Sequence, residues 1–193
     1  MSWDEMEGGK EKPVAVLVEG RAIIWDLEDA SKVFSLGFFG KPIGVPKPKI
    51  GNLDAPLVLD LIEAAYLAKK MHIVVYDSNV GRNLDLQEIF DYASGAHDLF
   101  EEKFMVYEDL RSAGYVVTSG MKFGSSFAVY RQGPGIDHAP FIVSIMELGD
   151  KVSSTDVVRA GRLATTVKKR FIVAVPNLKT GKIQYLLFRW WKA

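Results

Sequence analysis

The sequence predicts an α+β protein, a small α/β N-terminal part over residues 1–113 followed by a C-terminal mixed β-sheet packed on helices over residues 114–193. Three observations carry this. Short runs rich in β-branched and aromatic residues, bounded by Gly, Pro, Asn or Ser, read as strands in both halves. Between them in the first half lie longer stretches with the apolar period of amphipathic helices. Near Gly114 the pattern changes to closely spaced strands interrupted by a single helix.

The elements follow in order. Pro13 to Asp26, PVAVLVEGRAIIWD, reads as a strand pair turning at Glu19-Gly20. Asp29 to Phe34 reads as a short helix, and Gly37 to Asn52, with three prolines, four glycines and three lysines, as a loop. PLVLDLIEAAYLAKK, from Pro56 to Lys70, has the pattern of one amphipathic helix with Pro in its first turn and lysines at its end. HIVVYD is a strand, and Asp85 to Ala93 and His97 to Ser112 are two more helices. In the second half Tyr115 to Thr118, Ser126 to Tyr130 and Pro140 to Leu148 are successive strands. Ser153 or Ser154 caps a helix running to Val167, and Phe171 to Val175 and Ile183 to Trp190 complete the sheet.

Composition narrows the chemistry. Of 193 residues 48% are hydrophobic, enough for one generous core or two small ones. There is no cysteine, which excludes disulfides, thiolate metal sites and Cys nucleophiles, and three scattered histidines argue against a zinc site. No signal peptide opens the chain and no run approaches the roughly 18 to 20 apolar residues of a membrane span, so the expected location is cytoplasmic. The net charge of zero hides an asymmetry: 12 Lys and Arg face 20 Asp and Glu up to Ala113, and 12 face 4 from Gly114 onward. A basic second half suits a polyanion, and an acidic first half suits docking on a basic surface.

The stretch FAVYRQGPGIDHAPFIV holds two strand-like runs around a glycine-rich gap, with Tyr130 ending one and His138 just before the other. With no thiol, a tyrosine, a histidine and a lysine can divide proton transfer and charge stabilisation between them. That combination suits phosphoryl transfer in RNA, where the 2′-hydroxyl is already held beside the scissile phosphate. In TDVVRAGRLATTVKKR, Arg162 and Lys169 stand almost two helical turns apart and so share a side. Cations near a helix C-terminus need no ligand, so this spacing alone decides nothing.

Taken together, three blocks resemble the tRNA-splicing endonuclease family, in its archaeal type. GYVVTSGMKFGSSFAVYRQGP resembles the family's approach to its active-site tyrosine, here Tyr130; DHAPFIVSI resembles the segment opening on its histidine, here His138. VVRAGRLATTVKKRFIVAV is similar to the block carrying the lysine, here Lys169, with Lys168 where arginine is usual. The resemblance implies a restriction-endonuclease-like catalytic domain that cuts precursor tRNA at exon-intron junctions in a bulge-helix-bulge. It implies no metal and no cofactor, and products with 2′,3′-cyclic phosphate and 5′-hydroxyl ends. Tyr130 would be the general base, His138 the general acid and Lys169 the cation beside the transition state. Arg162, with Arg189 as its companion, would hold a bulge base by cation-π stacking.

The chain carries one set of these motifs, so the resemblance implies a homotetramer or, favoured here, an α2β2 heterotetramer with a homologous structural subunit. The loop GFFGKPIGVPKPK resembles an insertion of such catalytic subunits, in which Lys41, Lys47 or Lys49 would touch RNA. The apolar ending IQYLLFRWWKA is expected to join two subunits. Either Glu147 to Asp150 or the acidic first half would dock on a basic partner surface. The competing readings are a non-catalytic RNA-binding or structural subunit of the same assembly, and a small interaction module that binds polyanions without cutting them.

Overall fold

The computed structural model describes residues 12–46, 48–166 and 169–188. Strands β1 (Val14–Val18) and β2 (Arg21–Ile24) form a tight antiparallel hairpin with Val16 opposite Ile23. Its two turn residues, Glu19 and Gly20, both have positive φ, 42° and 77°, which matches the right-handed twist of the strands they join. Helix α1 (Leu27–Ser35) follows, started by Asp26, whose carboxylate accepts from the Asp29 N–H at 2.9 Å. The following loop contributes a two-residue strand, β3 (Lys41–Pro42), which pairs with β4 (Leu57–Asp60).

Here the structure corrects the single helix read from Pro56 to Lys70. Leu57–Asp60 is strand β4, antiparallel to β2, and helix α2 covers only Leu61–Lys69. The change of state falls on Asp60, whose carboxylate accepts from the Ile62 N–H while Glu63 accepts from the Asp60 N–H, each at 3.0 Å. This reciprocal cap satisfies two of the donors that a helix start leaves orphaned. Strand β5 (Val74–Asp77) lies parallel to β1 and antiparallel to β6 (Arg82–Leu84), completing a sheet that has six strands among the described residues, in the order β3-β4-β2-β1-β5-β6. Helices α3 (Leu86–Ala96), capped by Asp85, and α4 (Phe100–Ser112) follow.

The second sheet has five strands among the described residues, β7 (Val116–Ser119), β8 (Phe127–Tyr130), β9 (Phe141–Ile145), β10 (Arg170–Asn177) and β11 (Lys182–Phe188), in the order β11-β10-β9-β8-β7. Of these strands β9 and β10 form a parallel pair, connected through helix α5 (Ser154–Thr166); the other pairs are antiparallel. Ser153 caps α5 by accepting from the Asp156 N–H at 3.1 Å.

Helix α4 is the hinge of the packing. It touches α2 and α3 on one side and β7, β9 and β10 on the other. One core therefore runs through both sheets, from Leu17 and Phe34 through Leu67 and Tyr107 to Phe127, Val143 and Ala174. Full burial of a Leu or Phe side chain contributes about 1.5–3 kcal/mol, so this shared interior couples the two halves strongly. A smaller cluster, Ala128, Ala139, Ile142, Phe171 and Val173, occupies the opposite face of the second sheet, as the period-two alternation of β8 to β10 requires.

Candidate active site

The topology of the second sheet gathers residues that are far apart in sequence. Strand β8 runs antiparallel to β9 and ends on Tyr130, opposite the start of β9, where Val129 pairs with Phe141. His138 lies three residues before Phe141. Strand β10 runs parallel to β9 and begins at the same end, with Arg170 paired to Phe141. Lys169 immediately precedes it. The end of β8, the entry to β9 and the entry to β10 thus form one edge of the sheet, and each of the three sequence blocks contributes its Tyr, His or Lys there.

Lys169 is bound into that edge. Its ammonium donates to the Ala139 carbonyl at 2.6 Å, next to His138, and lies 5.0 Å from the centre of the Phe123 ring. The adjoining backbone repeats the connection, with the Arg170 N–H donating to the Pro140 carbonyl at 2.9 Å. Partial burial first, and the nearby Lys122 cation second, depress the Lys169 pKa below that of an ordinary lysine. Lys122 and Phe123 belong to a 3-10 turn, Met121–Phe123, between β7 and β8. No sequence pattern marked either of them.

The loop between Tyr130 and His138 is held from within by Asp137. One of its carboxylate oxygens accepts from the Gly133 N–H at 2.8 Å, and the other from Arg131 at 3.1 Å and Gln132 at 3.4 Å. Desolvation works to raise the Asp137 pKa, but these backbone donors together outweigh it and hold the carboxyl below its ordinary value. The Ile136 and Asp137 N–H groups both return to the Gly133 carbonyl at 3.1 Å. His138 emerges from this knot exposed to solvent, and Tyr130, at the other end of it, is half-buried. Sequence reading identified the glycine-rich gap but not its anchor, although an Asp close to two glycines is the usual signature of a side-chain-closed turn.

Tyr130 and Pro134 line a groove of about 1280 Å³ that extends over the first half, taking in Arg21, Lys41, Pro46, Pro48 and Lys103; His138 and Lys169 stand outside it. Of the loop lysines, Lys41 reaches this groove from β3, Lys49 is exposed without lining it, and Lys47 lies outside the described residues. Arg162 projects an exposed side chain from α5. The helical spacing read for Arg162 and Lys169 does not apply, because α5 ends at Thr166 and Lys169 belongs to the entry of β10. Arg189 lies outside the described residues. Among the described residues no helix is long and apolar enough to cross a membrane.

Similarity to known proteins extends over nearly the whole chain. Residues 14–90 match the family described as tRNA intron endonuclease, N-terminal domain, and residues 100–185 match tRNA intron endonuclease, catalytic C-terminal domain. A protein of Hyperthermus butylicus named tRNA-splicing endonuclease is 43% identical over 178 residues, covering 92% of this chain and 98% of its own. Proteins of the same name from Sulfurisphaera tokodaii, covering 93% of this chain and 99% of their own, and from Saccharolobus islandicus, covering 92% and 98%, are each 38% identical over 180 residues. With both domain matches and such relatives over nearly its full length, the chain belongs to the tRNA intron endonuclease family.

Proposed function

We propose that this chain is the RNA-cutting subunit of a tRNA-splicing endonuclease that removes introns from precursor tRNA. The observation that carries the reading is the hydrogen bond from Lys169 to the carbonyl beside His138, at the sheet edge where β8 ends on Tyr130. A subunit serving only as scaffold has no need of a tyrosine, a histidine and a bound ammonium on one edge.

The step is an in-line transesterification. Tyr130, as general base, takes the proton of the 2′-hydroxyl, and the 2′-oxygen forms a new bond to phosphorus. Lys169 balances the charge that develops on the non-bridging oxygens, in a setting where part of its own hydration has been removed. The bond to the 5′-oxygen breaks and His138 supplies the proton to that leaving oxygen, giving a 2′,3′-cyclic phosphate and a 5′-hydroxyl. Both proton transfers and the charge compensation are assigned to side chains, so this step calls for no metal. RNA contacts are assigned to Arg162 and Arg189 around a bulge base, to Lys41, which lines the groove, and to Lys47 and Lys49 of the same stretch of sequence.

The assembly proposed is an α2β2 heterotetramer with a homologous structural subunit, a homotetramer being the competing form. In support, β11 is paired on one side only among the described residues and exposes Tyr185, Leu186 and Leu187. Such an apolar edge is a template for pairing with another chain.

The test is cleavage of an intron-containing precursor tRNA in EDTA by the wild type and His138→Ala, each alone and with a homologous subunit. Cutting that leaves cyclic phosphate and is lost in the variant is the expected result. Binding without cutting under every condition would replace the catalytic reading with the scaffold one.

A further inference from the structure

A second support for the Tyr130–His138 loop comes from the N-terminal half. We infer that Phe38 is a positioning residue for the active-site loop, acting through Gly133 and Asp137 on His138; the inference rests on the endonuclease reading above.

Phe38 sits in the segment GFFG between α1 and β3 and is 5% exposed. Its backbone is in the left-handed region, φ 57°, which a bulky residue adopts only where its surroundings enforce it. Those surroundings are explicit. The Phe38 N–H donates to the Phe34 carbonyl at 2.8 Å, and the Phe34 ring meets the Phe38 ring edge-on at 5.5 Å. On one flank the Gly37 carbonyl accepts from the Arg111 guanidinium at 2.8 Å; on the other the Gly40 N–H donates to Glu63 at 3.0 Å. The segment is clamped at both ends, and what it presents to the second half is the Phe38 ring.

That ring lies against Gly133. A Cβ on Gly133 would stand 2.7 Å from Phe38 Cδ2, closer than real Cβ contacts, and the Gly133 φ of 142° also disfavours any side chain. Glycine at this position lets ring and backbone touch. Gly133 is the same residue whose N–H is held by Asp137 and whose carbonyl receives the Ile136 and Asp137 N–H groups. The line of contact is therefore Phe38, Gly133, Asp137, and then His138 as the next residue. Asp137 ties the loop to itself, and only the Phe38 contact in this line ties it to the other half.

An exposed general acid on a loop must be held to a fraction of an ångström, since a misplacement of about 1 Å costs on the order of 100-fold in rate. A support that acts on position alone alters kcat and leaves substrate binding intact. The experiment uses steady-state cleavage of precursor tRNA together with hydrogen exchange of the free protein, in the wild type, Phe38→Ala, Phe38→Leu, Gly133→Ala and Leu36→Ala, an exposed neighbour at the end of α1. For Phe38→Ala we expect kcat to fall roughly 10- to 100-fold with KM within about twofold of wild type. Leu at the same position should restore most of the rate, and Leu36→Ala should match wild type. Amides of Arg131 to Gly133 should exchange faster in Phe38→Ala while those of β10 stay protected. If Phe38→Ala fails to fold, Gly133→Ala, which presses on the same contact from the loop side, should show the same loss of rate and the same faster exchange.

Unchanged exchange at Arg131 to Gly133 overturns the inference, whatever the activity. So does an unchanged kcat in a folded variant when the wild type cuts. A wild type that does not cut at all defeats the endonuclease reading, and the exchange data then decide the Phe38 support by themselves.

Discussion

The Lys169 ammonium and the Ala139 carbonyl meet at 2.6 Å, joining the entry of β10 to the residue that follows His138. The bond crosses the parallel pair of the second sheet, so the cation is fixed relative to the loop rather than to its own strand alone. Lys169→Met keeps the apolar stem and removes the charge. Cleavage should fall roughly 10²- to 10³-fold, the scale of losing one preorganised charge partner in a transition state, with RNA affinity changing far less. Losing the hydrogen bond should also cost about 1 kcal/mol of stability, read as a lower urea midpoint. Equal losses in affinity and in rate would show that Lys169 only binds RNA.

Lys122 offers a test of the electrostatics. Burial and the Lys122 charge both push the Lys169 pKa down, so the cationic form of Lys169 is lost at lower pH than for a free lysine. Lys122→Ala removes the second cause and should move the alkaline limb of the pH–rate profile upward. A limb that stays in place would mean that Lys169 does not set it.

Glu63 predicts a pH dependence of stability. Its carboxylate is enclosed at the start of α2, and burial raises its pKa to about 7 against the opposing hydrogen bonds from Gly40 and Asp60. The unfolded chain loses this proton near 4.5, the folded one near 7. Between those values the folded state holds the extra proton, so stability falls as pH rises through this window and stays lower above it. The full difference is about 3 kcal/mol. Urea unfolding at about pH 5 and about pH 8 should show that fall in the wild type and lose most of it in Glu63→Gln; parallel profiles would refute the assignment.

Arg111 should not tolerate lysine. Its guanidinium donates to the Tyr107 hydroxyl at 3.0 Å, the Gly37 carbonyl at 2.8 Å and the Val117 carbonyl at 3.1 Å, and lies 4.0 Å from the centre of the Phe39 ring. An ammonium cannot span three acceptors in a plane or stack in the same way. Leaving two enclosed acceptors without donors should cost about 2–4 kcal/mol in Arg111→Lys. A urea midpoint unchanged from wild type would show that the clamp is dispensable.

Most of the elements were legible because they follow local rules. The Glu19-Gly20 turn, the strands of the second sheet and the helices α1, α3 and α4 stand where periodicity and turn chemistry put them, to within a few residues. The failure at Pro56 to Lys70 has a clear cause. LVL reads equally as a buried strand or a helical face, and pairing with β2 decided it; the Asp60 and Glu63 spacing was the available signal. Strand β6 escaped because the three residues Arg82–Leu84 are too few to carry an alternation and form a strand only through pairing with β5. At the site, the three motif residues are visible from sequence as positions, but Asp137 as anchor and Phe38 as neighbour of Gly133 are products of chain closure. No local pattern connects residues in separate halves.

The parallel alignment of β9 and β10 also sets a condition on time. An antiparallel hairpin forms between neighbours in sequence, whereas β10 reaches β9 only after the whole α5 crossover has been closed. Contacts of this kind are slow because chain entropy is lost before they are made. Tyr130 and His138 precede that closure and Lys169 follows it. During synthesis, the segment that carries Lys169 is also the last of the three to emerge. On the proposed endonuclease reading, a half-made or half-folded chain has the pieces of the site without their assembly, and the capacity to cut RNA arises only as the sheet closes.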